Sequence, residues 1–331
     1  MNVAVVILNW NGKKLLEQFL PSVLKNSEEA SIYIADNAST DNSVAYISKN
    51  FPTVKIIQNK SNGGYAKGYN DALKNLEEDL FVLLNSDVEV TDNWLTPIIQ
   101  EFRNDPALVA AQPKILDYNK KEHFEYAGAA GGFIDAFGYP FCRGRIFDTI
   151  EKDEGQFDDI KHIFWATGAC LFIRKTSFRA VRGFDEDFFA HQEEIDLCWR
   201  LLSQGGTIKY IGTSSVFHVG GETLSAVNPK KTFYNFRNSL FVLLKNVQGA
   251  KLWFIIFARL VLDGLAGIRY LLAGKPEHTL AIVKSHLSFY ALFLKIYKKR
   301  PLKTVALTYS FVFSIVWKYF FRKKRTFQEL L

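Results

Sequence analysis

The sequence predicts an α/β protein built on a mostly parallel, doubly wound sheet and followed by a basic helical region. Short continuous runs of Val, Ile and Leu alternate with helical stretches over the first part of the chain. Strands that are apolar on both faces belong to sheets covered by helices on both sides. Charge then divides the chain. Residues 1–229 carry 22 Lys/Arg against 31 Asp/Glu, whereas residues 230–331 carry 19 against 3.

The elements follow in order. Residues 3–8, 31–35, 54–57 and 80–84 are β-branched-rich runs closed by polar turn residues, and residues 13–26 and 66–76 read as helices between them. In such sheets ligands bind beyond the carboxyl ends of the strands. The residues found there are Asn9-Trp10-Asn11-Gly12, Asp36 to Asp41, Asn59 to Asn70, and Asn85-Ser86-Asp87. Any one of these clusters alone is a polar turn. Four on one sheet edge point to a ligand cleft.

The glycines exclude two common ligand fingerprints. Only Gly12 follows the first strand, so the dinucleotide pattern is missing. Gly63 and Gly68 have the gap of a phosphate loop, but Tyr69-Asn70 stand where Lys and Ser/Thr are needed. Gly63 and Gly64 would still let backbone amides approach a phosphate or ribose ahead of a helix N-terminus.

Composition sets broad limits. A chain of 331 residues holds one large α/β domain and a smaller appendage. Cys142, Cys170 and Cys198 are odd in number, widely spaced and form no Cys-x-x-Cys pair, which fits a reducing cytosol rather than a disulfide or zinc scaffold. Residues 1–8 run straight into a strand, so no signal peptide is expected. The acidic first part argues against nucleic acid as a partner, and the basic tail points to an anionic surface.

Seven motifs stand in one order over nearly all of residues 1–225: VVILNWNG, DNASTD, NKSNGGYAKGYNDAL, LLNSDVEV, TGACLFIRK, GFDEDFFAHQEEIDLCWR and FHVGGETLS. In that order they resemble family 2 glycosyltransferases of the GT-A fold, in the bacterial rhamnosyltransferase-like branch. The resemblance implies a nucleotide-binding set of Asn9, Trp10, Asp36, Asn62, Gly63, Gly64 and Ser86. Asp36 would meet the base, and Trp10 would stack on it. Asp87 would hold Mg²⁺ or Mn²⁺ on the diphosphate, a hard-oxygen task that suits one or two carboxylates. Asn85 replaces the first carboxylate of the family's Asp-x-Asp motif, so its contact with the metal stays open.

Residues 188–199 read as an amphipathic helix with an acidic start. The resemblance makes Glu194 the general base on the acceptor hydroxyl, with Glu193 in reserve. Acidic residues in a first helical turn also simply complement the helix dipole. Trp165, Thr167, Gly168 and Asp196 would line the acceptor and sugar pocket, with ordinary core packing as the alternative for Trp165. His218 is either a core histidine or, by resemblance, a ligand completing the metal site.

The implied activity is inverting transfer of a sugar from dTDP-rhamnose or a UDP-hexose to a saccharide or lipid-linked saccharide, in cell-surface polysaccharide synthesis. A catalytically degenerate nucleotide-sugar-binding protein and a nucleotidyltransferase of similar fold are the alternatives. The expected division is a GT-A domain over residues 1–228 and a basic, membrane-associating region over 229–331. Within that region, residues 253–272 are apolar but carry Arg259, Asp263 and Arg269, charges that oppose spanning. Residues 304–321 are the better spanning candidate by length and flanking charge. Interfacial association ranks ahead of simple packing, and packing ahead of spanning. The protein is therefore expected in the cytoplasm, at the inner face of the cell membrane.

Overall fold

The computed structural model describes residues 1–220, 228–301, 305 and 307–331. The chain opens with β1 (Val3–Asn9), α1 (Lys13–Lys25), β2 (Ala30–Asp36), α2 (Ser43–Asn50), β3 (Lys55–Gln58), α3 (Gly64–Leu73) and β4 (Leu80–Asn85). Every element expected here is present. There follow β5 (Val88–Val90), α4 (Thr96–Asn104), β6 (Leu108–Asp117), β7 (Gly132–Asp135), β8 (Pro140–Cys142), β9 (Arg145–Ile146), β10 (Thr149–Ile150) and β11 (Ile160–His162). Next come β12 (Cys170–Arg174), α5 (Lys175–Ala180), α6 (Glu193–Leu202) and β13 (Thr207–His218). The remainder holds α7 (Pro229–Asn246), α8 (Lys251–Leu272), α9 (Pro276–Tyr297) and β14 (Ser310–Val312).

The main sheet has the order β11-β13-β6-β12-β4-β1-β2-β3, with β5 paired to β13. It is parallel from β3 to β4, where helices make the crossovers. β12 returns from a long excursion through the second sheet and runs antiparallel to both β4 and β6. The sheet is thus more mixed than the strand runs suggest. The parallel register has one direct consequence for function. Asn9 pairs with Asp36, Asp36 with Gln58, and Leu8 with Asn85, so the polar strand ends line up along one edge.

Strand side chains alternate between two apolar layers. Val3, Val5 and Ile7 pack with α1, α2 and α4, around the fully buried Trp94. Ala4 and Val6 face the other layer, which continues through α6 and α7 into the second sheet, of order β10-β9-β8-β7-β14. The expected division at residue 228 falls at the start of α7, where the Asn228 side chain accepts from Lys230 N–H and Pro229 occupies the first turn. Leu240 to Leu244 of α7 are all buried in the shared layer.

Polar groups seal this junction. Asp196 of α6 is fully buried and accepts from Arg200 Nε (2.8 Å), Lys245 Nζ (2.9 Å) and Asn246 Nδ2 (3.0 Å). Burial alone would raise its carboxyl, but the charges of Lys245 and Arg200 hold it far below the usual range. Asp196 was expected in the acceptor pocket. It lies instead at the buried contact between α6 and α7.

α8 also differs from a simple reading of its charges. Arg259 and Asp263 face inward and are buried. Arg259 donates to Phe137 O (2.9 Å) and Ser239 Oγ (2.7 Å), and its guanidinium lies 3.9 Å from the Tyr139 ring centre. The better candidate for spanning, residues 304–321, is not a long helix among the described residues. Thr304 itself lies outside them. Ser310–Val312 instead adds a parallel strand to β7, and Trp317–Phe321 forms a single π-helical turn. Phe311 packs on Phe133, with ring centres 4.8 Å apart, and on Phe327 at 5.1 Å, so aromatic packing on the second sheet takes this segment.

Replacing Asp196 by Asn should leave the half-buried Arg200 without its carboxylate and the buried Lys245 with Asp185 as its one remaining carboxylate. We expect a loss of about 3 kcal/mol in unfolding free energy, read as a lower urea midpoint with an unchanged denaturant slope.

Candidate active site

The first corner of the site forms where β1 and β2 end side by side. Asn9 is buried and its amide donates to Asp36 Oδ1 (2.9 Å), Ser39 Oγ (3.1 Å) and Ser43 Oγ (2.9 Å). The second Asp36 oxygen accepts from Ser39 N–H at 3.0 Å. Asp36 therefore braces the loop and keeps only its remaining lone pairs for a ligand. Asn9 is likewise committed to internal bonds. Asn11, at φ 52°, accepts from Thr40 N–H at 2.7 Å and ties the two loops together. Trp10 beside them is 53% exposed, free to stack against a planar ring. Ser86 approaches the same corner, against Gly12.

A run of amides fixes the next loop. Asn59 donates to Asn37 Oδ1 (3.2 Å), Asn37 donates to Asn62 Oδ1 (2.9 Å), and Asn62 Oδ1 also accepts from Gly64 N–H (3.0 Å). Gly64 has φ 75°, and a Cβ there would sit 2.4 Å from Phe189 O, so only glycine fits. The loop ahead of α3 is thereby pressed against the segment leading into α6.

The second corner is acidic. β5 pairs with the end of β13, bringing His218 opposite Val88 and its imidazole against Asp87. His218 Nε2 lies 3.2 Å from Asp87 Oδ1 and 3.4 Å from Asn85 Nδ2, and Nδ1 lies 3.4 Å from Glu125 Oε2. All three charged side chains are buried. Burial opposes charge on the Asp87 carboxyl, yet the His218 hydrogen bond pulls it below its ordinary range. Burial likewise opposes charge on His218, and the two flanking carboxylates overcome it, raising the imidazole to about 10. Among the described residues no cluster of three or more His, Cys, Asp or Glu forms a metal cage. A cation bound here would take the place of the imidazole proton, leaving Asp87 and a neutral His218 as its two protein ligands and its other positions to phosphate oxygens and water. Of the Gly-rich loop after His218, Gly220 is described and Gly221 to Ser225 lie outside the described residues.

The third corner is the start of α6. Glu193 is buried and Glu194 half-buried, and each has an Oε2 without a hydrogen-bond partner. Burial pushes the Glu194 carboxyl up to about 7 and, together with the Glu194 charge, raises Glu193 well above its ordinary range.

The lead into α6 is strained. Phe189 (φ 64°), His191 (φ 68°) and Gln192 (φ 72°) all occupy positive φ without being glycine. Asn238 of α7 holds them there by donating to the carbonyls of Phe188 (3.0 Å), Ala190 (2.9 Å) and His191 (2.7 Å). Arg237 adds bonds to Asp187 O and Phe188 O, both 3.1 Å.

Other expected residues land differently. Trp165 is buried and its Nε1 donates to Phe133 O at 3.0 Å, so it is a core residue and no platform for a sugar. Thr167 is buried, donating to Ala127 O and accepting from Ala169 N–H at 3.2 Å. Gly168 is half-buried, and its carbonyl accepts from Tyr65 OH at 2.8 Å. Glu125, Arg237 and Asn238 were not anticipated. Glu125 sits in an irregular stretch with no motif, and Arg237-Asn238 read as part of an ordinary helix.

The model of the family described as "Glycosyl transferase family 2" matches residues 4–182. The N-acetylglucosaminyl-diphospho-decaprenol L-rhamnosyltransferase of Mycobacterium tuberculosis is 26% identical over 229 residues, covering 65% of this chain and 75% of its own length. Rhamnosyltransferase WbbL of Escherichia coli is 22% identical over 225 residues, covering 65% of this chain and 83% of its own. Among solved structures, GalNAc-T7 with UDP, GalNAc and Mn²⁺ superposes with a TM-score of 0.59 at 17% identity, covering 74% of this chain and 48% of that one. S. aureus TarS 1–349 with UDP-GlcNAc superposes with a TM-score of 0.55 at 15% identity, covering 86% and 81%.

Asn238→Ala should release the strained lead into α6. We expect faster amide hydrogen exchange confined to residues 188–193, and a stability loss of about 1–3 kcal/mol in chemical denaturation.

Proposed function

The chain belongs to the family 2 glycosyltransferases, with the GT-A fold, and from that premise we propose an inverting transfer from a nucleoside-diphosphate sugar to a lipid-linked saccharide hydroxyl. The observations that carry this reading are the buried Asp87–His218 pair where β4 ends and β5 meets β13, and the Glu194 carboxyl oxygen left without a partner at the start of α6. The two rhamnosyltransferase relatives support dTDP-rhamnose as donor, with a UDP-hexose as the alternative. One of those relatives is named for a diphospho-decaprenol acceptor, which supports a lipid-linked acceptor here.

In this proposal Trp10 covers the base, and the loops braced by Asp36 and Asn62 shape the nucleoside pocket. Asp87 and His218 would hold Mg²⁺ or Mn²⁺, which would offset the charge developing on the departing diphosphate. A buried carboxylate beside an imidazole suits such a cation. Glu125 would orient the imidazole from its far side. Arg145 and Lys231, both over the Tyr126 ring, add positive charge in the same region.

Glu194 would take the proton from the acceptor hydroxyl as its oxygen bonds to the anomeric carbon. The bond from that carbon to the diphosphate oxygen breaks on the opposite face, and the nucleoside diphosphate leaves with the electron pair. A carboxyl near pH 7 suits a base working at neutral pH. Glu193, more deeply buried, holds its proton to higher pH. The region from residue 229 onward would keep the enzyme at the inner face of the membrane as a peripheral protein.

Because Glu194 acts only when ionised, kcat/KM should rise with pH and reach half its plateau near pH 7, measured as sugar transfer to a soluble acceptor analogue. Glu194→Gln should lower kcat roughly 10²–10⁴-fold with donor affinity retained in calorimetry. Asp87→Ala should abolish Mn²⁺-dependent hydrolysis of the nucleotide sugar and weaken Mn²⁺ binding at least tenfold by titration calorimetry. Full transfer activity in Asp87→Ala would sink the metal assignment.

A further inference from the structure

α8 and α9 are built the opposite way round from helices on the surface of a water-soluble protein. The inward face of α8 carries its ionised pair, Arg259 and Asp263, bonded to Phe137, Ser239 and Tyr139. Its outward face presents Trp253, Phe257, Val261, Leu265, Ile268 and Leu272, a stripe at helical spacing, all exposed. α9 repeats the pattern with Leu280, Val283, Leu287, Tyr290, Leu294 and Tyr297 exposed, while Ala281, Ile282, Ser285 and Phe289 are buried. The two stripes adjoin, since Trp253 of α8 stacks with Phe293 and Tyr297 of α9. Contiguous apolar surface on this scale marks an interaction site.

The geometry points to the hydrocarbon boundary of an anionic membrane leaflet as the occupant of the α8–α9 face, and we propose that both helices lie in the leaflet without crossing it. Charge selects the partner. Residues 251–331 hold 15 Lys/Arg against 3 Asp/Glu. Two copies of this face packed together would bring like charges to one interface, whereas acidic headgroups neutralise them.

Packing rules out crossing. α9 is long and apolar enough to span, yet its inner side rests on α7, with Phe289 6.2 Å from Phe241 by ring centres. At its C-terminal end Lys295 bonds to Asp187 Oδ1 (2.6 Å), and Lys299 just beyond it bonds to Asp187 Oδ2 (2.7 Å). A spanning α9 would drag those polar groups, and the catalytic sheet behind them, into lipid. The docking face deepens the membrane placement proposed above and rests on that reading for its purpose, but not for its chemistry.

The test uses the full chain and vesicles of phosphatidylcholine, with and without a minor fraction of phosphatidylglycerol as the acidic lipid. Wild type should float with the acidic vesicles and bind them at least tenfold more tightly than neutral ones. The double variant Val261→Glu, Leu287→Glu should lose that binding at least tenfold, with circular dichroism and hydrolysis of a soluble nucleotide sugar unchanged. Leu265→Cys labelled with an environment-sensitive dye should shift to the blue on acidic vesicles, as the native cysteines are buried. Unchanged vesicle binding in the double variant, or an unshifted dye, would overturn the proposal. So would a stable dimer by light scattering that the double variant dissociates. Vesicle binding by a wild type unable to hydrolyse any nucleotide sugar would instead overturn the transferase reading and leave the docking face standing.

Discussion

The carboxylate of Asp196 has no access to water, and an ionised group in that position persists only where other charges replace its hydration. Arg200 comes from its own helix, but Lys245 and Asn246 come from α7. The condition is met only while α7 lies against α6. Much of the remaining architecture follows from that requirement. α7 is drawn into the apolar layer beneath the sheet, its Asn238 reaches the strained lead into α6, and α8 and α9 build outward from it. The basic C-terminal region is, in energetic terms, part of the scaffold of the third corner.

That dependence explains how Phe189, His191 and Gln192 can sit in a backbone region that costs roughly 1–3 kcal/mol per residue. Three carbonyl bonds from one asparagine side chain over-determine the segment. The strain turns the chain so that Glu193 and Glu194 enter the first turn of α6 with free carboxyl oxygens.

The first four strands were legible because two constraints coincide in them. They are sandwiched between helix layers, so their apolar runs are uninterrupted, and they are parallel, so their polar ends fall on one edge. The candidate carboxylates Asp87 and Glu194 were named by motif order, since local pattern alone gave only polar turns and a favourable helix start. Glu125 could not be found that way: its position against His218 depends on the pairing of β6 with β13 and on the turn that bonds Glu125 N–H to Ile115 O, which no local signal encodes. Trp165 and Asp196 failed as pocket residues because sequence shows residue type but not facing. Both point to the interior, one to the Phe133 carbonyl and the other to Lys245. Facing also explains α8, where two of the three charges that oppose spanning, Arg259 and Asp263, look inward. Residues 304–321 were read by hydropathy as a helix, whereas their aromatic and β-branched content matches a strand packed against the rings of the second sheet.

The grip of Lys295 and Lys299 on Asp187 gives the molecule a ruler. Asp187 lies six residues before Glu193, on the segment that α7 clamps, and α9 is one uninterrupted helix. With the outer face of α9 on a bilayer, as proposed, the height of Glu194 above the lipid would be set through this chain of contacts. An acceptor hydroxyl would then be selected by reach as well as by shape. A sugar attached directly to its lipid carrier and one several residues further out would present their hydroxyls at different heights, and only one of them would stand level with Glu194.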